Sequence, residues 1–480
     1  MKQLIRTLLA LGPGLLALPA FALTSKADVL AAIDSRRATY EKLALDIWDY
    51  AEVGYQEVKS SAALQERLRQ EGFAVEAGIA GMPTAFSATY GSGSPVIAIL
   101  GEFDALPGVA QEAVPEKKER AGATAGHACG HHLFGAGSAA AAVAVKEWME
   151  ATGRKGTLRF YGTPAEEGGS GKVYFVRAGF FNDVDVVLHW HAGDRNAVRL
   201  SSSLANKSGK FRFRGVAAHA AASPDRGRSA LDGVEGMNHL VNLLREHVPD
   251  STRIHYVITR GGEAPNVVPA FAEVYYYVRS PSREVVQDVW ARVEKAAQGA
   301  ALGTGTTVDW EVTGGVYELL PNETLARAMH ANLLAVGGVP YTEAEKEFAA
   351  KIGRTLFGQP VAVETAATVL PFDPKSASSG GGSTDVGDVS WAAPTVGLNA
   401  ATWVPGTPAH SWQAVATGGT TIGLKGMIVA SKTIALTAID LFTTPELVAT
   451  AKAEFVERRG RDFKYTALVG DRAPPLDYRD

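Results

Sequence analysis

The sequence predicts an α/β fold interrupted by an inserted α+β domain, and three observations carry that prediction. Up to about residue 205, short continuous apolar runs alternate with helical patterns, as in a parallel sheet covered by helices. The stretch 206–318 instead reads β-α-β-β-α-β, the ferredoxin-like order. Helical patterns then resume at Glu323, Thr342 and Thr421, returning the chain to its first domain. A length of 480 residues also exceeds what one hydrophobic core usually organises. The expected division is a leader at 1–22, a first domain at 23–205 and 319–480, and an insert at 206–318.

The leader comes first. Lys2 and Arg6 form a positive start, Leu8 to Leu18 is an apolar stretch short for a membrane span, and Ala20-Phe21-Ala22 is an A-x-A cleavage site. An exported bacterial protein cut after Ala22, periplasmic or secreted, is expected in preference to an N-terminal anchor or a core helix. Asp28 to Glu71 carries apolar residues at helical spacing through Leu43, Ile47, Leu64 and Leu68. Pro95 to Leu100 is a buried strand, Leu133 to Met149 a small-residue helix, and Gly156–Tyr161 and Val184–Leu188 two further strands. In the insert, strands are expected at 210–214, 253–259, 272–279 and 306–312, with helices at 228–247 and 283–300. The segment 361–384, with its Ser376–Ser383 Ser/Gly run, is a loop, either a flap or a linker. A formal net charge of −4 with both signs dispersed gives no nucleic-acid footprint, and no basic run calls for a membrane surface.

Polar motifs follow the predicted strands. Gly101 to Pro107 follows the first, Thr163 to Gly169 the second, and His189-Trp190-His191 ends the third. His127-Ala128-Cys129-Gly130-His131-His132 opens a helix and holds the only cysteine. In open α/β sheets ligands bind beyond the carboxyl ends of the strands, so these motifs should converge. The single thiol has no disulfide partner within the chain. Thiolate and imidazole together suit zinc, cobalt or manganese better than magnesium or calcium. The plainer alternative is a buried cysteine at a helix start with solvated histidines. Adjacent Glu166 and Glu167 point in different directions, so one can hold a metal while the other stays free as a base. A solvated charged turn is the ordinary reading of such a pair. The preceding apolar strand and the following glycines argue against it.

The motifs G-E-F-D-A-L-P at 101–107, G-H-A-C-G-H at 126–131, E-E-G-G-S-G at 166–171, A-A-H-A-A at 217–221, P-N-V-V at 265–268, S-T-D-V-G-D-V-S-W at 383–391 and G-T-P-A-H-S-W-Q at 406–413 carry a resemblance. The chain resembles the aminoacylase/carboxypeptidase family of co-catalytic metallopeptidases, in the amidohydrolase branch that includes auxin–amino acid conjugate hydrolases. The resemblance implies a two-metal peptidase-like catalytic domain with an inserted ferredoxin-like lid and dimerisation domain. It implies Cys129, His131, Glu167, His191 and His410 as ligands of two divalent ions, zinc or manganese, with cobalt a third candidate. Glu166 would be the general base, and Asp104 would support the catalytic group, while Glu102 stays open. His219 on the lid would reach a partner's site and stabilise the oxyanion. Asn266 and Arg279 would hold substrate carbonyl and carboxylate, with Arg214 and Arg228 as rivals. His127, His132 and His189 read as supporting or solvated residues. Asp385 and Asp388 either orient ligands or cap a turn. Trp190 and Trp403 either stack on an aromatic acyl group or belong to the core.

The expected activity is hydrolysis of the amide between an acyl group, aromatic among the candidates, and an amino acid. The small-molecule substrate is an N-acyl amino acid or peptide-like compound, and the assembly a homodimer or a pair with a homologous second subunit. The alternatives are a dipeptidase or carboxypeptidase with the same site, and a non-catalytic metal-containing binding protein. The last has no need of a free Glu166.

Overall fold

The computed structural model describes residues 23–198, 200–358, 361–374 and 381–479. The expected leader and part of the Ser/Gly run lie outside the described residues. Twelve strands run in chain order among them: β1 Ala74–Ala77, β2 Phe86–Ser92, β3 Val96–Gly101, β4 Leu106–Pro107, β5 Ala125–Gly126, β6 Gly156–Gly162, β7 Val186–Gly193, β8 Ala205–Arg214, β9 Arg253–Arg260, β10 Phe271–Ser280, β11 Thr307–Val316 and β12 Thr395–Ala401.

The larger sheet has the order β1-β2-β6-β3-β7-β12. Strands β6, β3, β7 and β12 are mutually parallel, so their carboxyl ends share one edge. β3 is buried along its whole length, which explains its unbroken Val-Ile-Ala-Ile-Leu run. Helices His131–Thr152 and Thr421–Thr443 pack against each other and on β3, β7 and β12. The alanines at 139–142 let the first of these helices approach the sheet closely, and all four are buried. Thr421–Thr443 is the one helix among the described residues long and apolar enough to cross a membrane, and it is largely buried in this core.

The insert is a four-stranded antiparallel sheet, β11-β8-β10-β9, covered by helices Ala230–Leu244 and Arg283–Thr304. That is the ferredoxin-like order the sequence predicts, with its own core around Phe211, Phe213, Tyr276 and Trp290. Each such fully buried large side chain contributes about 1.5–3 kcal/mol over its exposed state.

Two expectations need correction, and one open alternative is decided. The long helix at 28–71 is three helices, Lys26–Ser35, Arg37–Tyr50 and Val58–Gln70. Ala51 takes a left-handed conformation at the second break, with φ of 45°. Strands β1, β2 and β12 were not anticipated. The tryptophans are core residues: Trp190 is fully buried against Phe134, and Trp403 packs with Ala192 and Ala414.

Candidate active site

The polar motifs that follow the apolar strands leave the same edge of the larger sheet. Glu102 and Asp104 follow β3, Glu166 and Glu167 follow β6 after a three-residue turn, His191 lies near the carboxyl end of β7, and His410 is carried by the loop after β12. Cys129 and His131 flank the start of helix His131–Thr152. Gly130 between them has a φ of 76°, and a Cβ there would lie 2.4 Å from that of Ala192. Only glycine allows this tight reversal, which turns Cys129 and His131 toward a common point.

The turns around the glutamates are held in unusual backbone. Ala165, Ser170 and His410 are non-glycine residues with φ of 56°, 56° and 61°. The fully buried Glu57 accepts the Ala165 amide at 2.8 Å, and the Tyr55 hydroxyl donates to the Gly169 carbonyl at 2.7 Å. These contacts fix the directions in which Glu166 and Glu167 diverge.

Three donor groups have ligand atoms within 4.8 Å of one another: Cys129 with His131 and His191, Cys129 with Glu167 and His410, and Glu102 with His131 and Glu166. The five expected metal ligands all fall in the first two groups. Cys129 Sγ lies 3.4 Å from His191 Nε2. His131 Nε2 and Glu102 Oε2 face each other at 3.0 Å, and His410 Nε2 and Glu167 Oε1 at 3.2 Å. Yet His131 Nε2, Glu102 Oε2 and Glu167 Oε1 are buried without an aligned hydrogen-bond partner. Buried polar atoms left in this way are costly unless a cation occupies the space they share. The donors therefore fit metal ions.

Electrostatics point the same way. Five carboxyls, of Glu102, Asp104, Glu166, Glu167 and Asp385, crowd a region whose one buried lysine among the described residues is Lys172. Burial, then the Glu102 and Glu167 charges, pushes the Glu166 carboxyl well above the usual range. Burial and Glu167 likewise hold the Cys129 thiol up. Burial opposes charge on His131, but Glu102 and Asp104 outweigh it and raise its pKa well above the ordinary value. Burial and His131 lower the pKa of His191, which keeps that imidazole neutral, as a ligand must be.

Asp104 has the supporting place expected of it. It is enclosed, and its two oxygens accept from His131 Nδ1 at 2.8 Å and the Glu167 amide at 2.9 Å. Burial resists its ionisation, but His131 brings the carboxyl down to about 2. It orients two ligands and does not reach the cavity. Glu102, left open above, joins a donor group and pairs with Lys172 at 2.6 Å. Lys172 went unnoticed in the sequence because a lone lysine after a glycine turn looks like a surface residue. It is fully buried, and it also binds Asp385 at 2.8 Å. So Asp385 anchors the site through Lys172, whereas Asp388 accepts from the Tyr317 amide and the Tyr465 hydroxyl, away from it. His127 and His132 are buried and not solvated: their Nε2 atoms bond the carbonyls of Ile47 and Gly418.

A cavity of about 510 Å³ opens above these groups, between the sheet edge and the lid. Glu166, Glu167 and His410 line one side, and lid residues Asn206, Tyr277 and Arg279 the other. Arg214 and Arg228 are occupied elsewhere, on Asp309 and on the carbonyls of Asp225 and Gly227. His219 and Asn266 are exposed on the lid and do not line the cavity of their own chain. His219 Nδ1 accepts the Ala221 and Ala222 amides, which fixes the ring.

Residues 205–304 match the peptidase dimerisation domain, M20_dimer. The chain is 42% identical over 447 residues to one of the subunits of p-aminobenzoyl-glutamate hydrolase of Escherichia coli (strain K12), across 88% of this chain and 93% of that protein. The chain belongs to the M20 peptidase family. It is 30% identical over 438 residues to the Xaa-Arg dipeptidase of Mus musculus, across 88% and 90% of the two chains. A crystal structure of a dinuclear metal-binding M20 peptidase from Bacillus subtilis shares the fold, with a TM-score of 0.57 at 19% identity over 86% of this chain and 99% of that one. This M20 protein is thus a hydrolase of amide bonds that carries a dimerisation domain.

Proposed function

We propose that this chain is a metal-dependent amidohydrolase that releases an amino acid from an acyl group, an aromatic acyl group included. One observation carries the reading. Glu166 is absent from the two donor groups that contain the five expected ligands, belongs to the third with Glu102 and His131, and lines the same cavity as Arg279, so a base and a carboxylate-binding group face one substrate. The name of the Escherichia coli relative supports an aminobenzoyl-glutamate-like substrate. Two divalent ions, zinc or manganese with cobalt as third candidate, would be held by Cys129, His131, Glu167, His191 and His410. When bound they supply Lewis acidity and bring the pKa of a water they hold from about 15.7 toward ~7.

The chain's own residues do the rest. Glu166 takes the proton of the attacking water and returns it to the nitrogen of the leaving amine as the C–N bond breaks. Arg279 holds the substrate carboxylate. His219 of the partner subunit and the neighbouring Asn266 face the scissile carbonyl, and the partner is a second copy or a homologous subunit. Export after cleavage at Ala22 completes the proposal. A mature N-terminus at Leu23 in the periplasm or medium tests it, and a retained Met1 in exporting cells would refute it.

A mass-spectrometric screen of N-acyl amino acids and dipeptides, with each metal added, tests the activity. Turnover restricted to dipeptides would favour the dipeptidase reading, which the mouse relative's name supports. For a cleaved N-acyl amino acid, replacing the α-carboxylate by its amide should cost on the order of 1.5–3 kcal/mol in kcat/KM, the worth of a charge-assisted bond. Equal rates on acid and amide would show that Arg279 does not read the carboxylate.

A further inference from the structure

After helix Pro445–Arg459 the chain packs back on the catalytic domain. Residues 461–479 run as a strap along the lid strand β11 and back to the metal-ligand turns. Arg177 donates to the carbonyls of Gly470 and Arg472 at 2.8 and 2.7 Å, and Arg472 pairs with Glu311 at 2.8 Å. Tyr478 packs edge-on against Tyr55, and its hydroxyl donates to the Glu167 carbonyl at 3.0 Å. Gly54 leaves room for this contact, since a Cβ there would lie 2.2 Å from the Tyr478 hydroxyl. The strap thus delivers Arg479 to the cavity wall, where it also donates to the Glu167 carbonyl.

Arg479 and Arg279 share three properties. Both line the same cavity. Neither is in an ion pair among the described residues: Arg279 donates to Ser383 Oγ at 3.3 Å and lies over the Tyr277 ring, and Arg479 lies over the Tyr478 ring. The Nε–H of each is buried without an acceptor. A guanidinium uses its planar fork on carboxylates, and a buried N–H left without an acceptor is costly. Two of them in one cavity, delivered by elements far apart in the chain, fit a ligand with two anionic groups.

We infer that Arg479 is a specificity-determining residue that binds a second, side-chain carboxylate of the substrate, so that the enzyme selects N-acyl derivatives of dicarboxylic amino acids. The inference rests on the amidohydrolase reading, with Arg279 on the α-carboxylate. It also implies exclusion of basic side chains, which Arg479 would repel.

The test compares N-benzoyl-glutamate with N-benzoyl-glutamine, which differ only in side-chain charge. The metal-loaded wild type should prefer the glutamate by at least about tenfold in kcat/KM. Arg479→Gln should bring that ratio close to one with metal content retained, because Tyr478 still holds the Glu167 carbonyl. Arg479→Lys should keep part of the preference. A variant that lowers both substrates in proportion would show that Arg479 merely braces Glu167, and would overturn the inference. So would a wild type with no preference, even though its turnover would leave the amidohydrolase reading intact. If the wild type cleaves neither compound, calorimetry with glutarate and butyrate decides separately. Glutarate binding that is lost in Arg479→Gln supports the inference, and equal binding by both proteins refutes it.

Discussion

Glu166→Gln should retain its metal and lose about 10²–10⁴-fold in turnover, the usual worth of a positioned proton acceptor. Glutamine keeps the volume of the side chain but cannot accept the proton. Burial with Glu102 and Glu167 close by pushes the Glu166 carboxyl well above its ordinary range, the direction that favours taking up a proton. Glu167→Gln should differ by losing metal, since Glu167 belongs to the donor group with Cys129 and His410. Kinetics and metal analysis on both variants check this, and reversed phenotypes would mean the roles are exchanged. The same Glu166 variant tests the shared site. Mixed with His219→Ala, it should regain up to about one quarter of wild-type activity when subunits exchange at random. Half the dimers are then mixed, and each has one intact site. No recovery despite proven exchange would confine His219 to its own subunit or remove it from the chemistry.

Cys129→Ser and His131→Ala should each lower bound metal and abolish activity. Each residue belongs to two of the three donor groups, so its loss disrupts both at once. His131 has a further part. It lies between Glu102 at 3.0 Å and Asp104 at 2.8 Å, and without it two buried carboxyls lose the imidazole that faces them. His131→Ala should therefore also be the less stable of the two variants. Metal stoichiometry by mass spectrometry and thermal unfolding check both statements. Full metal occupancy in either variant would remove that residue from the ligand set.

The parts legible in the sequence are those where local pattern and tertiary role coincide. β3, β6 and β7 are short apolar runs because their burial demands it, and the site motifs stand out because they follow such runs. β12 was missed because Gly397 and Asn399 interrupt its apolar pattern, and Gly397 is small for a reason no local pattern contains: His189 occupies the space a Cβ would need. The breaks in the first helical stretch lie within a continuous apolar periodicity, so the period alone ran through them. Lys172 was invisible because its meaning is two partners, 70 residues before it and 213 after it. Asp104 was found, but its role depended on where its two oxygens point. The strap has no periodicity, and its pairing with Glu167 is a contact that only the folded chain displays.

That strap also sets an order of events. Glu167 and Arg479, which donates to its carbonyl, are separated by 312 positions, and Lys172 and Asp385 by 213. Contacts of such separation form late, because the intervening chain must first be ordered. The strap and its Arg479 therefore reach the cavity wall only after the lid strand β11 and the Glu167 turn that receive them have formed.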